Sequence, residues 1–170
     1  MPQWSFALPF RRSVAGVEAR LSAGEVQLLV HLCRDLADRL AEVDDRAPVG
    51  AGPLGRLFPD GYGDPERSDE LRSLIQDDLR DGKIAAARSV VDSLSDLPPS
   101  RQVTLSDEQV EHWLTSLNDL RLVIGTQLGV TEDGEDDHAD DDEDEVPATA
   151  RDVYQVLSWL QSALVDVLLD

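Results

Sequence analysis

The chain has 170 residues, a length that predicts one domain, spanning residues 1–170, with a single buried core. Its 15 Lys+Arg stand against 35 Asp+Glu, a formal net charge of -20. Free-standing nucleic-acid binding is therefore disfavoured, because phosphate contact draws its affinity from cations. Cys33 is the only cysteine, which excludes an internal disulfide.

The N-terminal residues do not have the pattern of a secretory signal, because no basic stretch precedes an apolar one and no small-residue cleavage site follows. No window approaches 18 consecutive apolar residues, which argues against a transmembrane helix. From these two features we expect a cytoplasmic protein.

Residues 3–21 alternate apolar and polar side chains around a turn at residues 13–16, a pattern that predicts a β-hairpin. An apolar stripe with i, i+3, i+4 spacing then predicts a first helix over about residues 22–40. Ser22 and Glu25 form a capping box at its start.

The segment at residues 47–64 contains too many glycines and prolines for a regular element. It also contains apolar and aromatic side chains, so we expect an ordered loop that packs on the core. Two shorter helices are predicted next, at about residues 65–79 and 82–97. The first carries its apolar side chains at Leu71, Leu74, Ile75 and Leu79.

A fourth helix is predicted from the capping box of Ser106 and Gln109 to a left-handed end at Gly129. A fifth is predicted over about residues 150–169, with Thr149 as its cap. The expected fold is thus mainly α, a five-helix bundle-like domain with a short N-terminal β-hairpin.

A weak internal repeat supports a second interpretation of the β-structure. Residues 17–26 and 102–110 both place an extended run before Leu-Ser-x-x-Glu/Gln-Val and a helix. The two extended runs could pair in one small sheet, although this sequence is also common at the start of helices.

An acidic run occupies residues 132–145, with 11 acids, one histidine and no base. Self-repulsion predicts a disordered acidic insertion over residues 131–146. Capture of a divalent cation and mimicry of a nucleic-acid backbone are two functional interpretations. A solvated insertion without a function of its own is the third, and it is favoured.

Groups suited to catalysis are few. Cys33 lies on the apolar stripe of its helix, which favours a buried small side chain over a redox-active thiol, and His31 points to another face. Glu108 and His112 are four residues apart instead of the three that a di-iron bundle uses. We therefore expect no enzymatic activity, no cofactor and no metal.

One group of polar side chains is a candidate site. Asn118 and Arg121 are i, i+3 neighbours beside an apolar stripe, and the loop at residues 56–66 supplies Tyr62 and Asp64. Arg121 should find a carboxylate partner, for which this loop is a source. The group is then either a clamp that docks the loop or a pocket for a ligand, and the clamp is favoured.

Two further places are candidates for partner contact. Trp159 lies away from the centre of the apolar stripe of its helix, and tryptophan is enriched at interface hot spots. Arg11 and Arg12 are a basic cluster near the hairpin and mark where a DNA contact would be made.

Three segments carry a resemblance to a known family. They are RLFPDGYGDPERSDELRSLIQDDLR at residues 56–80, WLTSLNDLRLVIGTQLGV at 113–130 and VYQVLSWLQSALVDVL at 153–168. They resemble the actinobacterial domain-of-unknown-function family 2017, some members of which are described as oxidative-stress transcriptional regulators. The resemblance implies an accessory regulator of transcription in redox homeostasis that acts with an extracytoplasmic-function sigma factor. Redox sensing in that family uses a cysteine pair, which this chain lacks.

The function that we expect is a non-enzymatic protein-interaction module. Its acidic surface suits a basic protein partner, a sigma factor or an RNA polymerase component, better than DNA, so direct DNA binding is weak or occurs only with that partner. No membrane contact is expected, and a homodimer through the last helix stays open. The alternative is a small-molecule-binding or enzymatic domain with a pocket at residues 56–66 and Arg121.

Overall fold

The computed structural model describes residues 8–42, 53–58, 69–129 and 148–170. These residues form three strands, four α-helices and one short 3-10 helix. The strands are β1 (Phe10–Ser13), β2 (Gly16–Arg20) and β3 (Gln102–Leu105), the helices are α1 (Ala23–Ala41), α2 (Asp69–Ser95), α3 (Asp107–Leu128) and α4 (Ala148–Leu169), and the 3-10 helix is Pro53–Leu57.

The prediction of five helices was wrong, since four are found in the described ranges. The two helices expected at about 65–79 and 82–97 are one continuous helix, α2, of 27 residues. Gly82 lies inside it and costs only about 1 kcal/mol relative to alanine. Packing of α2 against α1 and α3 outweighs that cost.

The β-structure is a three-stranded antiparallel sheet in the order β1-β2-β3. β1 and β2 form the predicted hairpin, and β3 adds to β2 with Val17 opposite Leu105. The fold class predicted only a hairpin, whereas the repeat interpretation, in which the two extended runs pair, is confirmed. Gly16 has a φ of 135°, and a Cβ at this position would overlap the carbonyl oxygen of Leu105. Only glycine therefore fits this turn into β2.

Local sequence signals predicted most helix ends correctly. Ser22 and Ser106 both form the predicted capping boxes, with the reciprocal side-chain bonds present. Gly129 ends α3 in the left-handed conformation, with φ 71° and ψ 21°. The start of α4 was predicted two residues too late: the helix begins at Ala148, so Thr149 belongs to its first turn and does not precede it.

The core lies between the sheet and the four helices and centres on Trp113, which is fully buried. Its ring meets Phe10 of β1 edge to face at 5.9 Å and 87°. Its indole N–H donates to the Ser93 hydroxyl of α2 at 3.3 Å, so one side chain connects three elements.

Part of the predicted loop at residues 47–64 is described, and it packs on the core. Leu57 and Phe58 are buried there at the end of the 3-10 helix. The rest of that loop and the predicted acidic insertion at 131–146 lie outside the described residues. In the part of the chain that is described, no helix has the length and apolar character needed to cross a bilayer.

Candidate functional site

Arg121 of α3 is the centre of a polar cluster against α4. Its Nε donates to the Ser158 hydroxyl at 2.9 Å and its Nη1 donates to the Gln161 side-chain oxygen at 2.6 Å. The Nη2 donates a longer bond of 3.4 Å to the Tyr154 hydroxyl. The guanidinium carbon also lies 5.4 Å from the centre of the Tyr154 ring, within the range of a cation–π contact.

The helical repeat explains why these three partners meet one arginine. Tyr154, Ser158 and Gln161 are spaced i, i+4, i+7 and so share one flank of α4. The Ser158 hydroxyl also donates to the Tyr154 carbonyl at 2.8 Å, which fixes the direction of its lone pairs. The guanidinium fork is therefore held on two sides and clamps α3 to α4.

The predicted partners of this arginine differ from the observed ones. A carboxylate of the loop at residues 56–66 was expected, whereas the hydrogen bonds found for Arg121 go to neutral acceptors on α4. Tyr62 and Asp64 lie outside the described residues, and Asn118 is exposed on α3. The clamp interpretation thus applies to two helices, and the signal for it was the polar spacing in α4.

A second polar contact was not anticipated from the sequence. Lys83 of α2 is the only lysine of the chain, and its Nζ lies 2.8 Å from Oδ1 of Asp119 on α3. Asp119 is 1% exposed, and burial raises its pKa above the usual value, while Lys83 acts in the opposite direction. Oδ2 of the same carboxylate and the Ser116 hydroxyl are buried without a protein partner. The pair anchors α2 to α3 at a desolvation cost.

A cavity of about 350 Å³ opens between α1, α3, α4 and the 3-10 helix. Its walls are largely apolar and include Leu54 and Ile124. Polar side chains of α1 line one edge at i, i+4 spacing, His31, Asp35 and Arg39, and the last two form an exposed ion pair at 2.8 Å. A volume of this size suits a small ligand.

Cys33 is fully buried on α1. Desolvation raises the pKa of its thiol to about 12, which disfavours the thiolate that redox chemistry uses. Among the described residues, no group of three His, Cys, Asp or Glu side chains is arranged so that it could hold a metal ion.

The candidate contact residues lie on two separate elements. Trp159 is 38% exposed on α4 and falls outside the repeat that faces Arg121. Arg11 and Arg12 are exposed on β1, and Arg11 is ion-paired with Glu18 of β2. That pairing reduces the positive charge that the hairpin offers to a phosphate backbone.

Comparison with known proteins adds a family to this description. Proteins named "Oxidative stress regulator AosR" from Mycobacterium bovis and from Mycobacterium tuberculosis are each 29% identical to this chain over 185 residues, covering 94% of this chain and 82% of their own length. No solved structure matches the chain. The family model described as "Domain of unknown function (DUF2017)" matches residues 7–168, which confirms the resemblance seen in the three sequence segments. The chain therefore belongs to the DUF2017 family.

Proposed function

We propose that this chain regulates the response to oxidative stress by binding a protein partner, without catalysing a reaction. The observation that supports this most strongly is the similarity, over 94% of the chain, to two proteins that carry the name of oxidative stress regulator. Similarity of that extent involves the whole fold and not a single motif.

The partner in this proposal is a component of transcription, a sigma factor or an RNA polymerase subunit. The resemblance to the family supports this choice, and so does the net charge of -20, which favours association with a basic protein surface over DNA. Trp159 is the proposed anchor. The Arg121 clamp holds α4 in a fixed orientation, so that less conformational entropy is lost when the indole is covered.

In this proposal the chain transmits a redox signal but does not sense it. Cys33 has neither a second cysteine to pair with nor exposure to an oxidant. Sensing by a thiol requires an accessible thiolate, and we therefore assign the redox-sensitive step to the partner.

The test is affinity capture from a lysate of the host, with and without oxidant, followed by mass spectrometry. Wild type should retain a sigma factor or a polymerase subunit, and Trp159→Ala should retain less. Leu169→Ala is the matched control, because Leu169 is 81% exposed on the same helix. Absence of transcription proteins in both conditions would refute the proposed function.

The cavity supports a second candidate function, in which the chain binds a small molecule. Arg39 lines the cavity, whereas Arg121 is engaged with α4. A ligand found by screening should raise the melting temperature of wild type, and Arg39→Ala should reduce that rise. A rise in melting temperature that is lost in Arg121→Ala but not in Arg39→Ala would favour the pocket that the sequence predicts at residues 56–66 and Arg121.

A further inference from the structure

The first half of α2 carries apolar side chains that the other described residues leave exposed. Leu74, Ile75 and Leu79 are 62%, 47% and 40% exposed, and we call these three side chains the α2 face. In a soluble protein, exposed apolar side chains that lie together on one helix mark an interaction surface more often than those scattered singly.

The phase of the helix accounts for only part of this exposure. In the second half of α2, Ile84, Ala87 and Leu94 are buried and define the side that faces the core. Stepping back from Ile84 by four residues at a time reaches Arg80 and then Gln76, which are polar and only partly buried.

Stepping back from Ala87 in the same way reaches Lys83, Leu79 and Ile75, so Leu79 and Ile75 continue the line of a buried residue. Leu74 instead lies on the side of the helix away from Leu94. The α2 face therefore extends from the outer side of the helix to the edge of the side that faces the core, and the described residues leave all three side chains exposed.

Acidic side chains surround this face. Asp78 is exposed and lies one turn from Leu74, and Asp81, with 75% of its side chain exposed, follows one turn later. Arg80 approaches Asp77 at 3.3 Å and Asp81 at 4.0 Å within the helix. An apolar strip beside carboxylates is complementary to a helix with apolar and basic residues on adjoining faces.

We propose that the α2 face binds a basic amphipathic helix of a protein partner. This inference rests on the proposed function, since it adds a second contact surface to Trp159 and names the chemistry of the partner. A second copy of this chain is a poorer occupant, because it would bring Asp78 and Asp81 against their own counterparts. Three apolar side chains are also few beside the roughly 20–30 residues per side of a stable interface, which favours a short helix.

The probe is a fluorescent peptide of leucine and lysine, long enough to form a helix, with leucine at i, i+3, i+4 and i+7. Its binding to the full chain is followed by anisotropy. Leu74→Ser together with Ile75→Ser should weaken binding about tenfold, the loss expected when one to two apolar side chains no longer contribute. Leu169→Ser, a change at an even more exposed leucine on α4, should bind as wild type does.

A matched pair of charge variants tests the acidic border. Asp78→Asn with Asp81→Asn should weaken binding at low salt, whereas Asp92→Asn with Asp96→Asn, exposed in the last turn of α2 and just after its end, should not. The acidic run at residues 132–145 also attracts a cationic peptide. That contribution is the same in all four variants, so it cancels in the comparison.

Three results would overturn the inference. The first is equal affinity of the Leu74→Ser, Ile75→Ser variant and the Leu169→Ser control. The second is equal affinity for a peptide of the same composition with the leucines scrambled. The third is a wild-type dimer in sedimentation that disappears in the α2 variant, because a second copy would then occupy this face.

Affinity capture separates this inference from the proposed function. If wild type retains a transcription protein and the α2 variant does not, both are supported. If both retain it equally, the α2 face is the wrong surface and the proposed function stands. If wild type retains none, the proposed function fails, and the peptide comparison alone decides the α2 face.

Discussion

The most informative single change is Arg121→Ala, which removes the clamp between α3 and α4. The bonds to Ser158 and Gln161, at 2.9 and 2.6 Å, should contribute about 0.5–1 kcal/mol each, less than is usual for a charged donor because the side chain is only partly buried. The contact with the Tyr154 ring adds about 0.5 kcal/mol. The expected loss of unfolding free energy is therefore about 2 kcal/mol.

Urea unfolding followed by circular dichroism measures this loss directly. With an m-value of about 2 kcal/mol/M, the midpoint should fall by about 1 M, and the melting temperature should fall by about 4–8 °C. Arg121→Lys should recover only part of the loss, because a point charge cannot donate in the two directions that the guanidinium fork serves.

Arg39→Ala is the control. Arg39 pairs with Asp35 at 2.8 Å, but both side chains are about half exposed, so their pair should contribute less than about 0.5 kcal/mol. A cost for Arg121→Ala no greater than that of Arg39→Ala would refute the clamp. Arg121 would then be available to bind a ligand.

Four further measurements test other parts of the structure. Asp119→Ala should lower the unfolding free energy by about 3 kcal/mol, because Lys83 loses its partner at 2.8 Å. In urea unfolding the loss should be smaller when Lys83→Met is also present. Losses that simply add would count against the ion pair. Burial raises the folded-state pKa of Asp119 above its usual 3.8, so the unfolded chain loses this proton at a lower pH than the folded protein does. The stability of wild type relative to Asp119→Asn should therefore fall as pH rises from about 4 toward the folded-state pKa. A stability difference that does not change with pH would contradict this. Gly16→Ala should lower the unfolding free energy by more than about 2 kcal/mol and lower the melting temperature accordingly, because of the φ of 135° and the neighbouring carbonyl of β3. Gly24→Ala is the control and should be tolerated, because the space around Gly24 is open. Equal melting temperatures for the two variants would contradict this reasoning. The Cys33 thiol, with a pKa of about 12, should react slowly with iodoacetamide at about pH 8 in the native protein and rapidly in urea; equal rates would show that the thiol is accessible.

The sequence by itself determined the features that depend on bonds between near neighbours. The capping boxes at Ser22 and Ser106 and the left-handed end at Gly129 each involve side chains or carbonyls within four residues. The helical spacing of Trp113 with Leu117 and Ile124 indicates one apolar stripe, and all three side chains are buried. Such signals can be interpreted locally because their partners are fixed by the helix itself.

Only the tertiary structure decided the contacts between distant segments. Arg121 and Ser158 are 37 residues apart and Lys83 and Asp119 are 36 apart. The polar spacing in α4 marks a polar flank, but no local pattern indicates which charged side chain will meet it. The continuity of α2 was equally inaccessible. Gly82 lies between two apolar stretches that predict two helices, whereas packing of α2 against α1 and α3 holds one helix. The exposure of the α2 face was decided in the same way, because the other elements that pack on a helix determine which of its side chains are covered.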